Sequence, residues 1–185
     1  MAENASPTTK GHVQLSSATN SASETLAATP RAVKLVNDSL DSHVNKLFTD
    51  SNGVHGLKIE TGNFTPYFYG STTSGTNTYV IQSGIYYKIA NLVKIDLIVQ
   101  INVKGTMTGN LEIGGLPFVA KAEAHCCFGG YALVNLGDYS DLLGTVVDTK
   151  ITLKKSGNNK TEARIVPDDI VNQSFMKISA TYTSK

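Results

Sequence analysis

The segment 92–104, LVKIDLIVQINVK, restricts the fold more than any other part of the chain. Every odd position from 93 to 103 is aliphatic (Val93, Ile95, Leu97, Val99, Ile101, Val103), while the even positions are mostly polar (Lys94, Asp96, Gln100, Asn102, Lys104). Side chains alternate across a β-strand, so this period of two predicts a strand with one face on a core and the other mainly in water, as in an antiparallel sheet. After Leu92 at the start of the segment, Ile98 alone breaks the polar face. It is either an incidental surface residue or, in a symmetric oligomer, the mark of a neighbouring subunit. Short strand-like runs recur around it, at 64–69, 79–81, 85–89, 110–113, 119–128, 131–135, 146–153, 163–166 and 175–182, between clusters of Gly, Asn, Ser and Asp. That spacing predicts a mainly β protein with a C-terminal antiparallel β-sandwich of jelly-roll type. Ala120, Ala122, Ala124 and Cys126 should share one face, with Lys121, Glu123 and His125 on the other. Met176, Ile178, Ala180 and Tyr182 mark a last strand that closes the sandwich.

The first 28 residues are rich in Ser, Thr, Ala and Asn and hold almost no large apolar residue beyond Val13, Leu15 and Leu26. Such a segment cannot build a core alone; it is either disordered or ordered only by neighbours, which include other copies of itself. Thr29-Pro30 reads as an N-cap followed by proline at the first helical position, and helix-compatible sequence runs to about Phe48. Val33, Asn37, Leu40, Val44 and Leu47 fall at alternating spacings of four and three. They form either the apolar stripe of a helix docked on its own domain or the seam of a brief coiled coil whose register Asn37 helps to set. The expected organisation is a fibrous segment (1–28), a helical stalk (29–50), a linker (51–61) and a β head (62–185).

With 185 residues, 41% hydrophobic and 17% charged, the chain can bury one real core. A formal net charge of +1 and a sequence pI near 7.7 argue against nucleic acid or an anionic membrane as partner. No apolar run approaches the roughly 20 residues of a membrane span, and MAENASPTTKG lacks the apolar stretch of a secretory signal, so a soluble protein made in the cytosol is expected. The adjacent Cys126 and Cys127 suit neither a mutual disulfide nor a zinc site, and should be reduced thiols with Cys126 on the buried face.

Catalytic signals are sparse. His12, His43, His55 and His125 stand at no metal-ligand spacing, so neither metal nor cofactor is expected. The carboxylates Asp138 with Asp141 and Asp168-Asp169 would serve a polysaccharide-cleaving enzyme only if a pair faced each other across a groove. Solvated loop acids are commoner, and the chain is expected not to be an enzyme. GSTTSGTN (70–77) lacks a phosphate loop's Lys-Ser/Thr ending and reads as a hairpin loop. Binding has more support: the loop NLGDYSD (135–141) sets Tyr139 between two carboxylates. A sugar's apolar face would lie on that ring while Asp138 and Asp141 accept hydroxyl hydrogen bonds, joined by Asn158 and Asn159. The competing reading is a polar turn with Tyr139 tucked over the sheet edge. Most of Tyr67, Tyr69, Tyr79, Tyr86 and Tyr87 are expected in core or intersubunit packing.

Two stretches carry a resemblance. GHVQLSSATNSASETLAATPRAVK (11–34) resembles, almost without a break, a repeat in long tail fibres of contractile-tailed bacteriophages and R-type tailocins. The stretch 62–118, with its GNFTP start, its GIYYKIANLV strand entry and its IGGLPF turn, resembles the receptor-binding head at the distal end of such fibres. Together they cover about 80 residues; from Val119 onward only the β character agrees. The resemblance implies a parallel homotrimer joined to the remainder of a tail fibre, carried on a virion or tailocin particle after synthesis in the host bacterial cytoplasm. It further implies attachment to a bacterial surface glycan such as lipopolysaccharide. A polysaccharide depolymerase and a structural or assembly segment without binding activity are the alternatives. The single repeat fits either a distal fragment of a longer fibre or a short fibre.

Overall fold

The computed structural model describes residues 13–49 and 59–185, with helix side chains followed as far as Val44. The chain forms two compact units, Met1–Leu57 and Lys58–Lys185.

In the first unit β1 (Gln14–Ser16) pairs in parallel with β2 (Leu26–Ala28). The poorly apolar segment therefore makes a pairing within its own chain, where the sequence suggests either disorder or order only from neighbours. Small hydroxyl side chains support it: the Ser17 and Thr29 hydroxyls lie 2.9 Å apart, and the Thr29 N–H donates to Ser16 O at 3.0 Å. Leu15 and Val13 stay exposed, so the pairing buries little. Helix α1 (Pro30–Thr49) begins as predicted: the Ala32 N–H donates to Thr29 Oγ1 at 3.2 Å, with Pro30 at the first helical position. Ala32 is buried, whereas Val33, Leu40 and Val44 are each more than half exposed. The Asn37 amide donates to Asp41 at 3.2 Å. Leu47, the last seam position, lies outside the described side chains.

The second unit is all β: β3 (Ile59–Phe64), β4 (Tyr67–Gly70), β5 (Thr78–Ile89), β6 (Leu92–Val103), β7 (Leu111–Gly114), β8 (Ala124–Val134), β9 (Asp141–Val147), β10 (Lys150–Ser156), β11 (Ala163–Arg164) and β12 (Ile170–Thr183). Its pairings are all antiparallel. The order is β3-β5-β6-β12-β8-β9-β10-β7-β4, with β11 added on β10. The two ends of this path, β3 and β4, are separated in sequence only by Thr65-Pro66, so the sheet must curl back on itself. The expected antiparallel β head is present, but its hydrogen bonds run as one continuous path rather than as two stacked sheets. The reason is β8, which pairs with β12 over most of its length and with β9 at Ala124 and His125.

Val93, Ile95, Leu97, Val99 and Ile101 of β6 are buried as the period of two requires, and Val103 is exposed at the strand end. They meet Met176, Ile178, Ala180 and Tyr182 of β12, and Phe68, Ile113, Val146, Ile151 and Leu153 from the other half of the sheet, in one core. Burial on this scale, at roughly 25 cal/mol per Å² of apolar surface, is what holds the curled sheet closed.

Several boundaries differ from the sequence reading. The run 64–69 is two strands, because Pro66 has no N–H for a ladder and β3 and β4 leave it for opposite edges of the sheet. The runs 79–81 and 85–89 are one strand, β5. Gly84 is no turn there: a Cβ on it would stand 2.5 Å from the Phe64 ring, so glycine admits the close approach of that ring. The run 146–153 is a hairpin turning at Asp148 (φ 52°) and Thr149. GSTTSGTN is not a hairpin loop but a crossing connection, since β4 pairs with β7 while β5 pairs with β3 and β6; Thr72 and Thr73 donate to Thr108 O at 3.0 and 3.3 Å. Of the proposed small-residue face, Ala120 is buried and Ala124 and Cys126 half-buried, but Ala122 is exposed because the strand starts only at Ala124. Both cysteines are free; burial pushes the Cys126 thiol up to about 12.

Candidate functional site

The β9–β10 hairpin is tight at Asp148-Thr149 and open at the other end, where Asp141 stands opposite Ser156. The loop entering β9 and the loop leaving β10 are therefore neighbours. The first is folded by its own backbone and an Asn side chain: the Gly137 N–H donates to Asn135 Oδ1 at 2.9 Å, and the Tyr139 N–H donates to Leu136 O at 3.2 Å. In the second, the Lys160 N–H donates to Gly157 O at 3.2 Å, with Asn159 left-handed at φ 60°. The Ser140 N–H donates to Ser156 O at 3.0 Å, and a Cβ at Gly157 would stand 3.4 Å from Tyr139 Cα, so the two loops touch.

This geometry brings Asp138, Tyr139, Asn158 and Asn159 together, with Asp141 at the foot of the loop. Asp138, Asp141, Asn158 and Asn159 are exposed and Tyr139 is half-buried. Two cations stand over the Tyr139 ring, Lys160 Nζ at 5.2 Å and Lys155 Nζ at 5.7 Å from its centroid. Each such contact contributes about 0.5–1 kcal/mol at an exposed site and fixes the ring. Lys160 also reaches Asp138 at 3.3 Å, while the Ser140 hydroxyl donates to Asp141 at 2.6 Å. Lys155 pairs at 2.8 Å with the buried Asp169, whose other oxygen accepts the Val166 N–H at 2.9 Å. Asp169 is thus a structural acid, and Asp168, exposed, pairs with Lys104 at 3.1 Å. Sequence reasoning gave neither lysine a role; the signal for Lys155 was the adjacent Lys154-Lys155 in a strand, which must point to opposite faces.

The outer surfaces of the two halves of the sheet differ. Over β3, β5 and β6 lie Ile59, Ile81, Ile85, Tyr87, Ile89 and Leu92, all exposed. Beside them a depression of about 210 Å³ opens between Ile85, Asp96, Ile98, Lys177 and Ser179. Lys94, 2.7 Å from Asp96, and the Ser179 hydroxyl hold the Asp96 carboxyl below the usual carboxylate range. Over β4, β7 and β10 the surface is polar. Glu112, buried, accepts from Lys150 at 3.0 and 2.8 Å and from the Tyr69 hydroxyl at 2.8 Å. Burial, with the Glu112 carboxylate beside it, raises the Tyr69 hydroxyl well above its ordinary value. Tyr67 and Tyr87 face outward, whereas Tyr79 and Tyr86 pack against the core, so the tyrosines divide between the two fates. A charged residue between Leu111 and Ile113 was the available sign of the Glu112 network. Among the described residues no group of His, Cys, Asp and Glu is arranged to hold a metal, and no helix is long and apolar enough to cross a membrane.

Comparison with known proteins bears on both units. A family model described as the phage tail fibre repeat matches residues 6–46. Over 37 residues the chain is 70% identical to the major tail fiber protein S of Escherichia phage P1, a match covering 20% of this chain and 15% of that protein. The Dettilon tailspike protein (gp208) is similar in fold, with a TM-score of 0.59 at 16% identity, over 69% of this chain and 24% of the tailspike chain. Residues 6–46 thus carry a phage tail fibre repeat, and the chain spans only a small part of the length of the tail fibre and tailspike proteins it is similar to.

Proposed function

We propose that the chain is the receptor-binding part of a phage or tailocin tail fibre, carried on the particle and attaching as a homotrimer to a bacterial surface glycan such as lipopolysaccharide. The carrying observation is the pair of touching loops around Tyr139. They stand on the rigid β9–β10 hairpin and offer carboxylate acceptors, amide groups and an aromatic ring in one place. Loops held by a rigid scaffold are where specificity is usually written. Asp138, Asp141, Asn158 and Asn159 meet sugar hydroxyls, and Tyr139, held by Lys155 and Lys160, offers its open part to a sugar ring. Asp169 is committed to Lys155 and the Val166 N–H, which supports binding over hydrolysis.

Trimerisation is supported from both units. Val33, Leu40 and Val44 leave an apolar stripe open on α1, which with Asn37 and Leu47 forms the seam of a short coiled coil. The apolar outer face of β3, β5 and β6 is the corresponding subunit surface of the head, which we read as a flattened sandwich. Three sites turn a weak single-site affinity into useful avidity when they engage together. The remainder of the fibre is the other partner.

Tyr139→Ala tests the site. Attachment of the full chain to susceptible cells should be lost while its melting behaviour barely changes; unchanged attachment, or failure to fold, makes Tyr139 a packing residue. Incubation with purified host polysaccharide should give no new reducing ends, whereas their appearance would mark a depolymerase. Absence of binding to any susceptible cell would leave a structural fibre segment.

A further inference from the structure

The polar outer face of the second half of the head is continuous with the Tyr139 loops, and strand register allows its side chains to be placed in rows. Ile113, Ile151, Leu153 and Val146 point into the core, so their neighbours along the strands point out. One row across the strands is Tyr67, Gly114, Lys150 and Val147. The next is Tyr69, Glu112, Thr152, Thr145 and His125. The third is Arg164, Lys154 and Leu143, and the fourth is Ser156 and Asp141, at the foot of the Tyr139 loop. From Lys150 to Ser156 this face runs about 20 Å along β10, the length of an oligosaccharide rather than of one sugar.

Three features of the face point to a ligand. Tyr67 is 44% exposed although its ring lies over backbone: a Cβ on Gly114 would stand 2.7 Å from the ring, so glycine lets the ring rest on the strand, with the Tyr69 ring 5.7 Å away. Glu112 is a charged side chain buried on a solvent-facing surface, with both oxygens occupied by Lys150 and Tyr69. A buried ion pair is a poor device for stability but fixes the position of the groups it holds. Lastly, Lys150 is held by Glu112 and Lys154 by Glu162 at 2.7 Å, whereas Arg164, exposed beside Lys154, shares the field of Glu162 without a carboxylate at salt-bridge distance among the described residues.

We infer that this face is a second glycan subsite, taking an acidic saccharide whose sugar carboxylate pairs with Arg164 while another sugar unit of the same chain stacks on Tyr67. The inference rests on the glycan-attachment reading above and extends it from the loops to the strand face. An aromatic ring takes the apolar face of a sugar, and a guanidinium takes a carboxylate through two parallel hydrogen bonds. Tyr69, Glu112 and Thr152 form the row between the two anchors, and Lys150, in the row of Tyr67, is a donor to sugar hydroxyls.

The test is equilibrium binding of the full chain to fluorescent oligosaccharides cut from a uronate-containing host polysaccharide, in native and carboxyl-reduced form. The parent should bind the native form about tenfold more tightly than the reduced one. Arg164→Gln should remove that preference without weakening binding to the reduced form, and Tyr67→Ala should weaken both forms by about tenfold. Arg164→Gln lies on an exposed side chain and keeps the test independent of any folding defect in Tyr67→Ala. If the parent binds both forms equally, or if both variants bind like the parent while Tyr139→Ala alone loses binding, the strand-face subsite is overturned and the loop site stands. If the parent binds neither form nor any susceptible cell, the attachment reading falls and the subsite with it.

Discussion

The outer face over β3, β5 and β6 and the outer face over β4, β7 and β10 share one strand geometry and one core, yet they are built for different neighbours. On the first, exposed Ile81, Ile85, Tyr87 and Ile89 follow one another along a single strand. Alternation would ordinarily make such a row polar. On the second, the corresponding positions hold Tyr67 beside Tyr69, Glu112 and Lys150, which short hydrogen bonds tie together, and Lys154, which is bonded to Glu162. An apolar row gains from being covered by protein, while a polar row whose charges are held in short hydrogen bonds can stay in water. The contrast teaches that the strand pattern alone does not tell outside from interface. What decides is whether the residues on the outward face are satisfied by water.

The largest effect should come from removing what both faces share. β12 pairs with β6 along one side and β8 along the other, and five of its side chains enter the core. Deleting residues 177–185 should abolish the cooperative thermal transition of the head; a truncated chain that still melts cooperatively would show that the two halves are stable separately.

Next in size is a pair of substitutions that separates the faces. Glu112→Ala should destabilise the head by ~2 kcal/mol in chemical denaturation, because Lys150 and the Tyr69 hydroxyl lose their acceptor. Ile85→Lys with Tyr87→Lys should barely change single-chain stability but should shift sedimentation toward smaller species, since charge is placed on the surface proposed to meet a second copy. An unchanged sedimentation profile would count against that surface as an interface.

The smallest effect is common to both faces and is read by pH. The Tyr79 hydroxyl donates to Phe68 O at 2.9 Å and the Tyr182 hydroxyl to Phe118 O at 3.1 Å. Burial pushes both up to about 12 from an ordinary value of 10.0. A raised folded-state value contributes stability that is full below pH 10 and is lost as pH rises toward 12. The melting temperature should therefore fall across that window, and Tyr182→Phe should shallow the fall; an equal slope in the variant would remove Tyr182 as a cause.

The sequence by itself determined the elements whose cause is local. Thr29-Pro30 starts a helix because its hydroxyl and its missing N–H suit the first turn, and α1 begins there. The odd residues from Val93 to Ile101 enter the core because alternation leaves them no other choice. The loop at 135–141 was legible as a turn, with Asn158 and Asn159 as its companions, and these residues meet. Tertiary structure alone decided the rest, because its causes lie far apart in sequence. Gly84 reads as a turn until the Phe64 ring is seen to lie over it. Phe64 and Tyr67 read as one strand until Pro66 sends them to opposite edges of a curled sheet. Lys155 and Lys160 come over Tyr139, and Tyr69 and Lys150 onto Glu112, only through pairings between strands many residues apart. Periodicity tells each side chain which face to take. Which partners wait on that face is fixed by the strand order, and that depends on how the whole chain buries its apolar surface at once.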